Sequence, residues 1–176
     1  MNLAGKAFLD VGTGSGAPGI LAARQGARVT AVDVNPDAVA LARSNAALNH
    51  VSDRFEAMES DLFSAIPADR RFDRIAFNPP FYPRTPSNDE ERAWLAGEDY
   101  ATLRAFFRDA GRFLAPSGQI VLILSSDTDL DLLAGIAEQN GLILVREVVV
   151  PHLFEVFVIR EYSPHPASLR SPSPLP

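Results

Sequence analysis

The segment Asp10-Val11-Gly12-Thr13-Gly14-Ser15-Gly16 has the residue types that hold a nucleotide-like ligand. It lies between a short apolar run and an amphipathic one, where glycines permit a tight turn and close approach of a ligand to the backbone. Gly14, Gly16 and Gly19 satisfy the GxGxxG spacing of dinucleotide binders, and Asp33 lies where a carboxylate can accept hydrogen bonds from ribose hydroxyls. Two residues lean away from a dinucleotide. Asp10 would repel a pyrophosphate but favours a ligand bearing an ammonium or sulfonium group. Pro18 removes an N–H from the first helical turn, where phosphates seek donors. Both lean towards S-adenosylmethionine, with Asp10, Gly12, Thr13, Gly14, Gly16 and Asp33 around it.

The elements that must position this loop follow from periodicity. Short apolar runs alternate with longer amphipathic stretches, the mark of a mostly parallel sheet covered by helices on both faces. Residues 7–10, 27–32, 54–60, 72–77 and 119–125 are expected strands, and residues 16–25, 35–49, 100–114 and 129–140 expected helices. Asn35 starts one helix by capping chemistry, because its side chain accepts an orphan N–H and Pro36 has none to satisfy. Pro116-Ser117-Gly118 and Gly141 are expected to end two others. Runs 142–150 and 152–162 lie too close together for a crossover helix, so they are expected as antiparallel neighbours. The domain is expected over residues 1–162, with 163–176 a disordered Ser/Pro-rich tail.

A second constellation, Asn78-Pro79-Pro80-Phe81, follows the fourth expected strand, at the edge of the sheet where ligands of open α/β folds bind. DVGTGSG, AVDVNPDAV, SDLF and FNPPF, in this order and spacing, resemble the class I S-adenosylmethionine-dependent methyltransferases over about residues 5–162. More narrowly, NPPF resembles the members that methylate planar amino nitrogens: the HemK/PrmC glutamine methyltransferases and the RsmC-like RNA guanine or adenine methyltransferases. The resemblance implies a Rossmann-like α/β fold with a mostly parallel twisted sheet and an antiparallel C-terminal hairpin. It places Asp61 and Leu62 at the adenine ring, with Asp61 accepting from its amino group, and Val34 on the ring's flank.

An amide or exocyclic amine is a poor nucleophile because its lone pair is delocalised. The Asn78 side-chain oxygen and the Pro79 carbonyl could each accept one N–H of a substrate NH₂, holding the nitrogen in line with the methyl and favouring the developing positive charge. Pro79 and Pro80 stiffen the loop, and Phe81 offers a face for a planar group to stack on. No strong general base is required, since the proton can leave after transfer.

Composition sets the limits. The chain has 176 residues, 47% hydrophobic and 22% charged, with net charge −6 and no cysteine. That fits a single globular domain and excludes disulfides, thiol nucleophiles and cysteine-ligated metals. Three histidines, widely spaced, make no metal site. No apolar run reaches the length of a membrane span, so no membrane partner and a cytoplasmic location are expected. The negative charge opposes unaided binding to a phosphate backbone. Arg104, Arg108 and Arg112, four apart, are expected to be surface ion pairs before an RNA-binding stripe, and Trp94 a loop anchor; His152 is assigned no catalytic role.

Members of the resembled group usually carry more chain before the first strand, so recognition is expected to fall to the segment after Asn78 or to a partner. The acidic balance and the Pro83 to Gly118 stretch favour a glutamine-bearing protein substrate and a small activating partner subunit, as in stand-alone HemK-type proteins. Phe81, where glutamine methyltransferases commonly carry Tyr, favours an RNA or DNA amino base instead. A catalytically silent methyltransferase-like subunit is the non-enzyme alternative. A hydride-transferring oxidoreductase lacks any acid or base signature after the glycine loop.

Overall fold

A computed structural model describes residues 2–80, 98–151 and 156–166 of the chain. Among the described residues seven strands form one sheet: β1 (Ala7–Val11), β2 (Arg28–Asp33), β3 (Phe55–Glu59), β4 (Phe72–Phe77), β5 (Leu114–Ser125), β6 (Leu142–Pro151) and β7 (Val156–Pro164). Their spatial order is β3-β2-β1-β4-β5-β7-β6. The first five are parallel, and β7 runs antiparallel between β5 and β6. Four α-helices accompany them among the described residues: α1 (Ala17–Arg24), α2 (Pro36–Leu48), α3 (Ala101–Ala110) and α4 (Leu130–Gln139). This is the expected Rossmann-like arrangement with its antiparallel C-terminal hairpin.

Strand alternation sends side chains to two cores. Leu9, Val11, Ile75, Phe77, Ile120, Leu122 and Leu124 pack with Leu103, Phe106 and Phe107 of α3 and Leu133 and Ile136 of α4. Phe8, Val29, Ala31, Phe55 and Ala57 point to the other face, against Ile20 and Ala23 of α1 and Val39, Ala42 and Ala46 of α2. Phe106 lies at the centre of an aromatic cluster, with ring centroids 5.5 Å from Phe63, 4.9 Å from Phe77 and 5.6 Å from Phe107. The helix starts obey capping rules: Asn35 Oδ1 accepts from Asp37 N at 2.9 Å, and Asp129 Oδ1 from Leu132 N at 3.0 Å.

Two boundaries differ from expectation. The helix expected over residues 100–114 ends at Ala110, and β5 begins at Leu114, so Pro116-Ser117-Gly118 lies inside the strand. The register with β4 jumps from Phe72↔Leu114 to Arg74↔Gln119. The extra residues form a bulge, which hosts a proline because its N–H is not owed to the ladder. Gly118 is required there, since a Cβ would lie 2.7 Å from the Phe72 carbonyl oxygen. At the other end, β7 continues through Ser163 and Pro164, which pair with Ile143 and Leu142 of β6. The hairpin register carries the strand two residues past the expected limit. Residues 167–176, Trp94 and His152 lie outside the described residues. No helix among the described residues is long and apolar enough to cross a membrane.

Candidate functional site

The strand order reverses between β1 and β4, the point where open α/β sheets leave a crevice beyond their carboxyl ends. The two sequence constellations meet there. Val11 pairs with Phe77, so Gly12 and Asn78 leave neighbouring strands side by side, about one strand spacing of 4.8 Å apart. A Cβ at Gly12 would meet the Phe77 ring at 3.1 Å, and its φ of +60° also selects glycine. Asn78 is exposed, Pro79 buried and Pro80 half-buried. Phe81 lies outside the described residues.

The glycine loop is braced from beneath. Thr13 N donates to the Val32 carbonyl at 2.9 Å, and Gly16 N to the Thr13 carbonyl at 2.8 Å. Asp10 is only 2% exposed, and its Oδ2 accepts from Thr13 Oγ1 at 2.7 Å and Gly19 N at 3.0 Å. Burial pushes its carboxyl up to about 7, against the lowering effect of those two donors, and nearby Asp33 adds to the rise. Asp10 is therefore a sequestered carboxylate inside the loop, and Thr13, also buried, is the side chain that fixes it.

Asp33 closes the loop from β2. Its Oδ2 accepts from Gly14 N at 2.9 Å and its Oδ1 from Asn35 N at 3.0 Å. The same carboxylate thus joins the glycine loop, the end of β2 and the start of α2. Val34 beside it is 42% exposed, an apolar side chain left in solvent at the rim. Beyond β3, Ser60 Oγ accepts from Ala65 N at 3.0 Å and donates to the Leu62 carbonyl, which builds a tight turn with Leu62 at φ 48°. Asp61 sits exposed on that turn, its carboxylate bonded to no described residue and its backbone N donating to Ser64 Oγ at 3.1 Å. Sequence reasoning named Asp61 and Leu62 but missed Ser60 and Ser64; two serines four apart flanking an Asp carry the signal of such a turn.

The donor set fits S-adenosylmethionine. A Cβ at Gly14 would meet nothing within 4 Å, so the loop backbone faces open space. At the carboxyl ends of β2 and β3 stand the half-buried carboxylate of Asp33, the exposed apolar side chain of Val34 and the exposed carboxylate of Asp61, residue types that could hold a ribose, flank a ring and accept from an amino group. Asp10 beneath the loop, its carboxyl pushed up to about 7, supplies negative potential towards a cationic ligand in its ionised form. Among the described residues no cluster of three or more acidic, His or Cys side chains could hold a metal ion.

The basic stripe resolves into ion pairs: Arg104 with Asp99 at 2.9 Å, and Arg108 and Arg112 with Asp109 at 2.7 and 3.6 Å. At the carboxyl end of β5 lies a polar turn that the sequence did not single out. Tyr100 OH accepts from Asp129 N at 3.1 Å, and both Asp99 and Tyr100 hold left-handed φ values near 50–60°.

A sheet of this topology with a glycine loop and Asn-Pro-Pro facing each other at its switch point defines a methyltransferase domain. The chain belongs to the methyltransferase small domain family, whose profile matches residues 1–138. By that membership it is a methyltransferase domain. A tRNA1(Val) (adenine(37)-N6)-methyltransferase of Porphyromonas gingivalis is 31% identical over 175 residues, covering 93% of this chain and 68% of that protein. A release factor glutamine methyltransferase of Rhodopirellula baltica is 36% identical over 149 residues, covering 76% of this chain and 49% of that protein. The chain therefore spans about two thirds of the first relative and about half of the second. In fold it is similar to the ribosomal protein L11 methylase of Lactobacillus delbrueckii subsp. bulgaricus, with TM-score 0.72 and 20% identity over 92% of this chain and 71% of that one.

Proposed function

We propose that the protein methylates a glutamine side-chain amide of a protein substrate. The observation that carries the reading is the register Val11↔Phe77, which sets Asn78-Pro79 beside the glycine loop. The Asn78 carboxamide oxygen and the Pro79 carbonyl each accept one N–H of the planar NH₂, hold the nitrogen's face towards the loop and stabilise the charge it acquires. S-adenosylmethionine supplies an electrophilic methyl group on sulfonium. Asp33 takes the ribose hydroxyls, Asp61 the adenine amino group, and Val34 and Leu62 flank the ring. The described rim of the crevice carries Asp33, Asp61, Asp127 and Asp129, a negative field that repels phosphates and suits a polypeptide. A small partner subunit is the proposed activator, and residues around Phe81 the proposed substrate contact.

A second reading, methylation of an RNA adenine, is favoured by the tRNA methyltransferase relative that covers 93% of this chain. Asn78 and Pro79 serve an exocyclic base amine in the same way. Calorimetry with S-adenosylhomocysteine, followed by transfer of labelled methyl into protein and RNA fractions, tests both. Label in protein, lost on methyl transfer to a Gln→Asn substrate, supports the amide. Label only in ribonuclease-sensitive material overturns it in favour of the base.

A further inference from the structure

At the opposite end of the sheet, where β1, β2, β3 and β4 begin, lies a groove of about 540 Å³. It is separated from the methyl-transfer site by the length of the strands, about 17–20 Å at 3.3 Å per residue. Arg28, Arg54, Arg70 and Arg71 line it together with Asp53 and Glu56. Each carboxylate is already matched. Arg70 Nη2 binds Glu56 Oε1 at 2.7 Å, with Thr30 Oγ1 donating to the same oxygen at 2.8 Å, and Arg54 Nη2 binds Asp53 Oδ2 at 2.7 Å. Arg71 donates only Nη1, to the carbonyls of Ala68 and Arg70 at 2.8 Å, which neutralise no charge. The exposed guanidinium of Arg28 pairs with no described residue.

Two guanidinium charges thus remain uncompensated in one concave space, in a chain whose net charge is −6. Guanidinium forks match phosphate oxygens bidentately, and two of them match a dianion. A cleft lined by one sign of excess charge also concentrates the opposite ion. We propose that this groove is a phosphate-binding site, with Arg28 and Arg71 as the anion ligands and the Arg70–Glu56–Thr30 network as its floor. The shared chemistry is a phosphate monoester, and a free mononucleotide and the 5′ end of an RNA are the two sources that the test distinguishes.

The test is titration of inorganic phosphate, AMP and a 5′-phosphorylated oligoribonucleotide, with saturating S-adenosylhomocysteine present to occupy the methyl-transfer site. The same titrations on Arg28→Ala/Arg71→Ala, with unchanged melting temperature as the check on folding, decide the location. The expected result is saturable binding by the parent chain that weakens tenfold or more in the double variant. Tighter AMP than oligonucleotide identifies a mononucleotide site, and the reverse identifies an RNA end. Absence of binding by the parent chain, or equal affinity in the double variant, overturns the proposal. A chain that fails to bind S-adenosylhomocysteine still gives this answer, because the two arginines stand at the other edge of the sheet.

Discussion

On the proposed function, Asn78 and Asp33 separate catalysis from cofactor binding at the level of single side chains. Asn78 is exposed just beyond β4, and its proposed task is to hold the acceptor nitrogen. Asn78→Ala should lower methyl transfer by about 100-fold or more, the cost of losing one aligned acceptor in the transition state, with S-adenosylhomocysteine affinity within a few fold. Equal loss of both in calorimetry and turnover would contradict that division. Asp33 holds Gly14 N and Asn35 N in addition to any ribose contact. Asp33→Ala should weaken S-adenosylhomocysteine binding by about 1.5–3 kcal/mol, and titration calorimetry reads this directly. Unchanged affinity would remove Asp33 from the site.

At the scale of elements, α1 must lie close on the sheet for the glycine loop to keep its shape, and Gly19 permits it. A Cβ there would lie 2.8 Å from the Phe55 ring, 3.0 Å from Asp10 Oδ2 and 3.0 Å from Val29. Gly19→Ala should therefore cost about 1–3 kcal/mol by overpacking, read as a drop in the denaturation midpoint, and should displace the Asp10 brace with it. A variant as stable as the parent would show that α1 can tilt away freely. The local signals around this unit were plain in the sequence. Asn35-Pro36 marks the start of α2 because capping is settled within three residues, and the closeness of residues 142–150 to 152–162 forces a hairpin whatever the rest of the chain does. Leu114 to Gly118 was not legible, because its breakers read as a turn and only the neighbouring Phe72 carbonyl makes it a bulged strand. In the site, the glycine loop, Asp33 and Asn78 were visible as motifs. The inward turn of Asp10 towards Thr13 was not, since burial of a carboxylate depends on what packs over it.

For the whole molecule, that buried carboxylate links stability to pH. The Asp10 carboxyl is pushed up to about 7 by burial, from the usual 3.8. Above 3.8 the unfolded chain has released this proton while the folded chain keeps it, so folding stability falls as pH rises and levels off beyond about 7. A carboxyl raised from 3.8 to about 7 on folding makes that fall about 4 kcal/mol in all. Asp10→Asn keeps a side-chain oxygen for Thr13 Oγ1 and Gly19 N without the titration. Denaturation at pH 5, 6, 7 and 8 should show Asp10→Asn gaining on the parent chain with each step up to about pH 7 and running parallel thereafter. Carboxylates remote from Asp10 cancel in that difference, including the exposed pairs at the amino edge; Asp33, which interacts with Asp10, contributes only through that coupling. A cationic ligand in the glycine loop favours the ionised form, so S-adenosylmethionine should stabilise the parent more strongly at pH 8 than at pH 5, and Asp10→Asn equally at both. Stability curves that are parallel throughout would mean that Asp10 ionises freely, and that the loop excludes water less well than its 2% exposure implies.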